Sequence, residues 1–76
     1  MQKKEFDTKT FGEEVRRYRR ARRLTMATTE RLTGIDKDRI CRIEIGRYRP
    51  KAVDVIVLAE WAGLNPTNFI APKARS

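Results

Sequence analysis

The chain of 76 residues has no histidine and one cysteine, Cys41. The lack of histidine excludes Cys/His zinc sites and histidine-based catalytic triads, and one cysteine cannot form a disulfide within the chain. No apolar run approaches the roughly 20 residues of a membrane span, and the first residues lack the apolar stretch of a secretion signal. A chain this short also leaves little room for a deep cavity. We therefore predict a cytoplasmic protein that is not an enzyme, with no metal, cofactor, small-molecule ligand or membrane contact.

Basic residues, in contrast, are abundant and concentrated in the middle of the chain. Eighteen Lys and Arg outnumber ten Asp and Glu, for a net charge of +8. Residues 16–51 hold thirteen basic and four acidic residues, a net charge of +9, whereas the remainder carries −1. Eleven of the thirteen are arginines, whose planar guanidinium binds phosphates and base edges bidentately. This clustering predicts a nucleic-acid-binding surface, with a merely solvated, charge-rich surface as the alternative.

The apolar periodicity predicts an all-α chain of four helices followed by one turn, without any β-period. The predicted helices span residues 10–23, 26–33, 37–45 and 52–62, and a turn begins at Pro66. Thr8 or Thr10, Thr25 and Asp36 are the predicted N-caps of the first three helices. Residues 1–9 are interpreted as a flexible N-terminal arm, residues 10–70 as the folded domain and residues 71–76 as a frayed tail.

Two short helices joined around Gly34, the second basic on its outer face, are typical of a helix-turn-helix. Further residues extend this pattern: Phe11-Gly12, Arg19, Leu24-Thr25, Leu32-Thr33-Gly34-Ile35, Ile40-Cys41-Arg42-Ile43-Glu44-Ile45-Gly46 and Pro50. On these residues, the chain resembles the phage repressor and Cro type (XRE-like) of helix-turn-helix protein over about residues 11–69. The resemblance implies a compact, λ-repressor-like bundle of four to five helices.

The same resemblance implies a Cro-like repressor, which regulates transcription by binding double-stranded operator DNA in a sequence-specific way. It further implies a homodimer on palindromic sites, a nucleoid-associated location in the cytoplasm, and an origin in a phage or mobile element.

The resemblance makes residues 37–45 the recognition helix, lying in the major groove. Lys37, Asp38 and Arg42 match positions that touch base edges, and Cys41 is adjacent to them. Arg42 can bond guanine O6 and N7, Asp38 can accept from cytosine N4, and Cys41 can meet a thymine methyl. The structural alternative is a solvated surface on which Asp38 and Arg42 form an i,i+4 ion pair.

Contacts to the DNA backbone are predicted at the start of the second helix and in the basic loop after the third. The residues are Thr25, Met26, Arg47, Arg49 and Lys51. The first helix carries further outward-facing arginines at positions 16, 17, 20 and 23. One or two of these are expected to contact DNA directly, and the others to attract it through their electrostatic field.

Arg19 and Glu44 match a buried ion pair of the family, which joins the first helix to the recognition helix. The chain departs from the family pattern at four other positions. Met26 replaces a frequent glutamine, Thr29 a large apolar residue, Glu30 a small residue and Arg23 a frequent glycine. We expect Glu30 to need a partner such as Arg31 or Arg20, and the turn at Arg23 to form without glycine's conformational freedom.

The fourth helix has a second apolar stripe, formed by Val53, Val57 and Trp61, that needs cover. Three candidates could cover this stripe: the segment Phe69-Ile70 folding back onto it, a second copy of the chain, or a different protein. The last defines the alternative function, a protein-interaction module such as an antitoxin or adaptor, for which DNA binding is secondary. RNA binding is a third possibility, disfavoured by the few aromatics available for base stacking.

Overall fold

A computed structural model of the chain describes residues 4–72. The elements are β1 (Lys4–Phe6), α1 (Thr8–Ala21), α2 (Met26–Thr33), α3 (Lys37–Ile45), α4 (Ala52–Ala62), a 3₁₀ helix η1 (Pro66–Phe69) and β2 (Ile70–Pro72). The prediction of an all-α, helix-turn-helix fold is confirmed, and α2, α3 and α4 begin and end at the predicted residues. No helix in the described range is long and apolar enough to cross a membrane.

The structure differs from the prediction at the two ends of the domain. Where a flexible arm and a frayed tail were expected, β1 and β2 form an antiparallel pair, with Lys4 opposite Pro72 and Phe6 opposite Ile70. Side-chain packing explains the strand at the start, because the ring centroid of Phe6 lies 5.2 Å from that of Phe11. Residues 1–3 of the predicted arm and 73–76 of the predicted tail lie outside the described residues.

Helix α1 also begins earlier than predicted, at Thr8 instead of about Thr10. Its N-cap is Asp7 in place of either threonine, and an Asp7 carboxylate oxygen accepts the Thr10 amide at 3.1 Å. The Asp7 amide donates to the carbonyl oxygen of Phe69 at 2.6 Å, which ties the start of α1 to η1. The hydrogen bond from the Thr10 amide lowers the pKa of the Asp7 carboxyl.

The core lies between α1, α3 and α4, with η1 closing one end. Its buried apolar residues are Phe11, Val15, Ile35, Ile40, Ile43, Val55, Leu58, Ala59 and Phe69. The backbones of α1 and α3 lie very close together at Gly12, where an added Cβ would overlap the carbonyl oxygen of Ile43. Glycine at this position therefore sets the distance between α1 and the predicted recognition helix.

Candidate nucleic-acid interface

Helix α3 presents one face to the core and the other to solvent. Ile40 and Ile43 are buried, and the Asp36 side chain caps the helix by accepting the Asp38 amide at 3.1 Å. The side chains of the opposite face are all exposed: Lys37, Asp38, Cys41, Arg42 and Ile45. The structure thus brings the four predicted base-contacting residues together on one surface, and places Ile45 beside them.

Asp38 and Arg42 do not form the ion pair that was the structural alternative. The ion pairs among residues 5–70 involve other partners. Both side chains are exposed without neutralising each other, so the carboxylate remains an acceptor and the guanidinium a bidentate donor.

Arg19 and Glu44 form a nearly buried pair between α1 and α3. Arg19 Nε donates to Glu44 Oε2 at 2.7 Å, and Arg19 Nη2 donates to Oε1 at 3.0 Å. Arg19 Nη1 donates to the carbonyl oxygen of Leu24 at 2.9 Å, so the same side chain also holds the turn before α2. The hydrogen bonds to Glu44 raise the pKa of the Arg19 guanidinium, which stays charged. One arginine thereby fixes the position of α3 relative to α1 and the turn.

A second ion pair, which the sequence analysis missed, joins α3 to α4. Arg39 Nε and Nη2 donate to the two carboxylate oxygens of Asp54 at 3.0 and 3.1 Å. These bonds raise the pKa of the Arg39 guanidinium. Asp54 is 2% exposed and lies one turn before Leu58, on the buried stripe of α4. A carboxylate in such a position needs a cationic partner. The sequence therefore signals that Asp54 is paired, but it does not identify Arg39 as the partner.

The start of α2 and the loop after α3 supply donors around the exposed face of α3. Thr25 Oγ1 accepts the Thr28 amide at 3.0 Å, while the amides of the first turn, at Met26 and Ala27, have no acceptor within the helix. Amides of this kind favour an anion. In the loop, Tyr48 and Pro50 are packed inward while Arg47, Arg49 and Lys51 are exposed.

The departures from the family pattern are accommodated in different ways. Thr29 is fully buried, and its hydroxyl donates to the Thr25 carbonyl oxygen at 2.8 Å, which satisfies the polar group. Arg23 adopts a left-handed conformation with φ of +56°. Glu30 is half-buried, but the expected ion pair with Arg31 or Arg20 is not among the ion pairs of residues 5–70.

The apolar stripe of α4 is covered only in part. Trp61 is half-buried and packs edge-to-face on Tyr18 of α1, with ring centroids 4.8 Å apart. Val53 remains 61% exposed and Ile56, which the sequence analysis did not include, 59% exposed. Phe69 packs against Phe11 of α1, at 5.2 Å between centroids. Intramolecular cover by Phe69-Ile70 therefore does not reach the exposed part of the stripe.

The arrangement is suited to binding a polyanion. A helix held by two ion pairs presents an exposed polar face, and exposed cations follow it in the loop. Within residues 4–72, no group of three or more His, Cys, Asp or Glu side chains is placed to hold a metal ion.

Comparisons with known proteins agree with this geometry. The family model described as "Helix-turn-helix domain" matches residues 10–68. Among solved structures, the chain is similar to the restriction-modification controller protein C.AhdI from Aeromonas hydrophila. The two share 27% sequence identity with a TM-score of 0.68, over 83% of this chain and 96% of that chain. A search of curated proteins found no significant match.

Proposed function

Because the chain belongs to the helix-turn-helix domain family and is a DNA-binding transcriptional regulator, we propose that it represses transcription by occupying operator DNA. Helix α3 lies in the major groove, and bound protein excludes polymerase from the promoter. The observation that carries this proposal is the exposed face of α3, which collects Lys37, Asp38, Cys41 and Arg42 on a helix fixed by two ion pairs with buried carboxylates. The alternative of a protein-interaction module with secondary DNA binding is not favoured by the comparisons.

The side chains of this face match the donors and acceptors of base edges. Arg42 donates both guanidinium bonds to guanine O6 and N7, Asp38 accepts from cytosine N4, and Cys41 meets a thymine methyl. Lys37, at the start of the helix, donates to a base or a phosphate. Arg42 carries most of the base readout, because a good bidentate contact discriminates by about 1–3 kcal/mol.

Backbone contacts hold the protein in register without reading sequence. The start of α2 at Thr25 and Met26 receives one phosphate, and Arg47, Arg49 and Lys51 contact others. The net charge of +8 supports a binding constant that falls steeply with salt, as counterion release requires.

We further propose a homodimer that binds a palindromic operator, with no enzymatic activity, acting in the cytoplasm on nucleoid DNA. One small module makes too few base contacts for strong specificity. The exposed apolar pair Val53 and Ile56, together with Val57 and the edge of Trp61, provides the surface on which a second copy packs. Two-fold symmetry then sets the half-sites roughly 34 Å apart along the duplex.

The test is a binding selection from random duplex DNA at about 150 mM salt, run with the wild-type protein and with Arg42→Ala. We expect the wild type to enrich a palindromic consensus, and the variant to lose discrimination at one base pair in each half-site. Arg47→Ala is the matched control, since it removes one exposed arginine from the loop. It is expected to lower affinity and leave the consensus intact. Wild-type protein that enriches no sequence would refute base readout through α3.

A further inference from the structure

A groove separates α1 from the outer side of α3 and opens next to the start of α2. We call it the α1–α3 groove. Its volume is about 180 Å³, and it is lined by Arg16, Arg19, Met26, Cys41, Glu44 and Ile45. Cys41 and Ile45 belong to the exposed face of α3 that is proposed to enter the major groove, and Met26 is the first residue of α2. DNA bound to α3 therefore passes the mouth of the α1–α3 groove.

The charged side chains that line this groove differ in whether they are already paired within the protein. Arg19 and Glu44 neutralise each other through two hydrogen bonds, while Met26, Cys41 and Ile45 supply no formal cation. Arg16 is exposed and takes part in none of the ion pairs among residues 5–70. Within the lining, Arg16 is thus the cation available to a ligand.

The neighbouring arginines of α1 are placed differently. Arg17 pairs with Glu14 at 3.5 Å. Arg17 and Arg20 border a wider surface groove with Glu13, Arg16 and Ala21, which contains no residue of α2 or α3. Arg16 borders both grooves, so it is the arginine of this group that reaches the side of α1 facing the recognition helix.

We infer that Arg16 binds a backbone phosphate at the edge of each DNA half-site, beside the start of α2. This inference rests on the proposed function. Met26 has no polar side-chain group with which to hold a phosphate at that point, whereas the guanidinium of Arg16 offers a planar pair of donors across the groove. Because phosphate contacts fix register and carry no sequence information, Arg16 contributes affinity and position without changing the consensus.

The test compares Arg16→Ala with Arg20→Ala, which removes the same charge one helical turn away on the same helix. Affinity is measured by fluorescence anisotropy from about 50 to 200 mM salt, on the selected operator and on a duplex of unrelated sequence. For Arg16→Ala, we expect the slope of log K against log salt to shrink by about 1 per protomer. Arg20→Ala is expected to change the slope by clearly less, because Arg20 contacts no phosphate and attracts the DNA only through its long-range electrostatic field.

A second measurement identifies the contact itself. Single methylphosphonates, which remove the charge of one phosphate, are placed in turn along the half-site. Among the positions at which the substitution weakens wild-type binding, we expect one to have no further effect on Arg16→Ala, while the phosphates contacted by α2 and by the loop affect both proteins alike. Equal salt slopes for the two variants, or the same methylphosphonate penalty in wild type and Arg16→Ala at every position, would overturn the inference. A change of consensus in Arg16→Ala would also overturn it, because Arg16 would then read a base.

The unrelated duplex separates this inference from the proposed function. If the wild-type protein enriches no consensus, base readout through α3 fails, yet the salt slopes of the two variants on that duplex still decide whether Arg16 contacts a phosphate. Circular dichroism checks that both variants are folded, which is expected because both side chains are exposed.

Discussion

Arg23 holds its backbone in the left-handed region, with φ of +56°, in the turn between α1 and α2. A residue with a Cβ is strained there, whereas glycine is not. We predict that Arg23→Gly raises the free energy of unfolding by about 1 kcal/mol, because relief of strain exceeds the extra chain entropy that glycine loses on folding. For a domain of this size, the midpoint of thermal unfolding would rise by about 4–8 °C.

Arg23→Gln is the matched control for this prediction. It removes the same positive charge, next to the other arginines of the turn, and keeps the Cβ in the left-handed conformation. Thermal unfolding followed by circular dichroism should show a gain for the glycine variant that the glutamine variant lacks. Equal stabilisation of both would mean that charge repulsion, and not backbone strain, is the cost at this position.

The two ion pairs around α3 illustrate what single residues revealed in advance. Arg19 and Glu44 lie on the flanks of apolar stripes, and the family resemblance named each as the other's partner. For Arg39 and Asp54, neither the apolar pattern nor the family resemblance identified one as the partner of the other. The position of Asp54 on a buried stripe indicates that a cation is needed, but many arginines are available, and only the packing of α4 against α3 selects Arg39. The base and phosphate contacts remain predictions, since they depend on DNA.

Helix α1 depends on Asp7 at its N-terminus, where the carboxylate accepts the Thr10 amide. We predict that Asp7→Ala lowers the free energy of unfolding at neutral pH by about 1 kcal/mol, the usual cost of losing an N-cap. The pKa of Asp7 is lowered from 3.8 in the folded chain, mainly by the hydrogen bond from the Thr10 amide. This contribution is therefore complete above pH 3.8 and is lost as the pH falls through the lower, folded pKa.

Asp7→Asn tests the pH dependence separately, because asparagine also caps helices but does not titrate. Urea unfolding at a series of pH values should show wild type losing stability relative to Asp7→Asn below pH 3.8. The two proteins should have a constant difference at higher pH. Parallel stability curves through the acid range would show that the capping hydrogen bond does not depend on the charge of Asp7.

The secondary structure was predictable where its signals are local. Helices α2, α3 and α4 each end at a glycine in the left-handed conformation, and Thr25 and Asp36 cap the first two of these helices. The β1–β2 pair has no local signal, because three-residue strands are too short to show alternation and their partners lie at opposite ends of the domain. The early start of α1 follows from that pairing, which carries Asp7 to Phe69.

The molecule as a whole leaves Val53 and Ile56 exposed on α4, where the proposed dimer forms. We predict that Ile56→Glu halves the mass measured by sedimentation equilibrium, because a charged side chain at the centre of an apolar interface is costly to desolvate. Binding to a duplex with two half-sites should weaken strongly. Binding to a single half-site should change little, since α3 is unaltered.

Leu32→Glu is the control for the mass measurement. Leu32 is 57% exposed on α2, so the substitution adds the same charge at an exposed apolar position on a different helix. It is expected to leave the mass unchanged. A wild-type protein that is monomeric both in solution and on a duplex with two half-sites would contradict the dimer, as would Ile56→Glu with the wild-type mass.

The pairing of β1 with β2 also determines how the domain responds to mechanical force. Lys4 lies opposite Pro72, and Phe6 lies opposite Ile70. Tension applied through the two ends therefore pulls the strands apart in the direction perpendicular to their axes. Their hydrogen bonds then break one after another, as in a zipper, rather than all together as in shear. The next hydrogen bond to carry the tension is the one from the Asp7 amide to the Phe69 carbonyl oxygen. Under load, the domain therefore opens first where β1 pairs with β2. The ion pairs Arg19–Glu44 and Arg39–Asp54 still hold α3 after this pairing is lost.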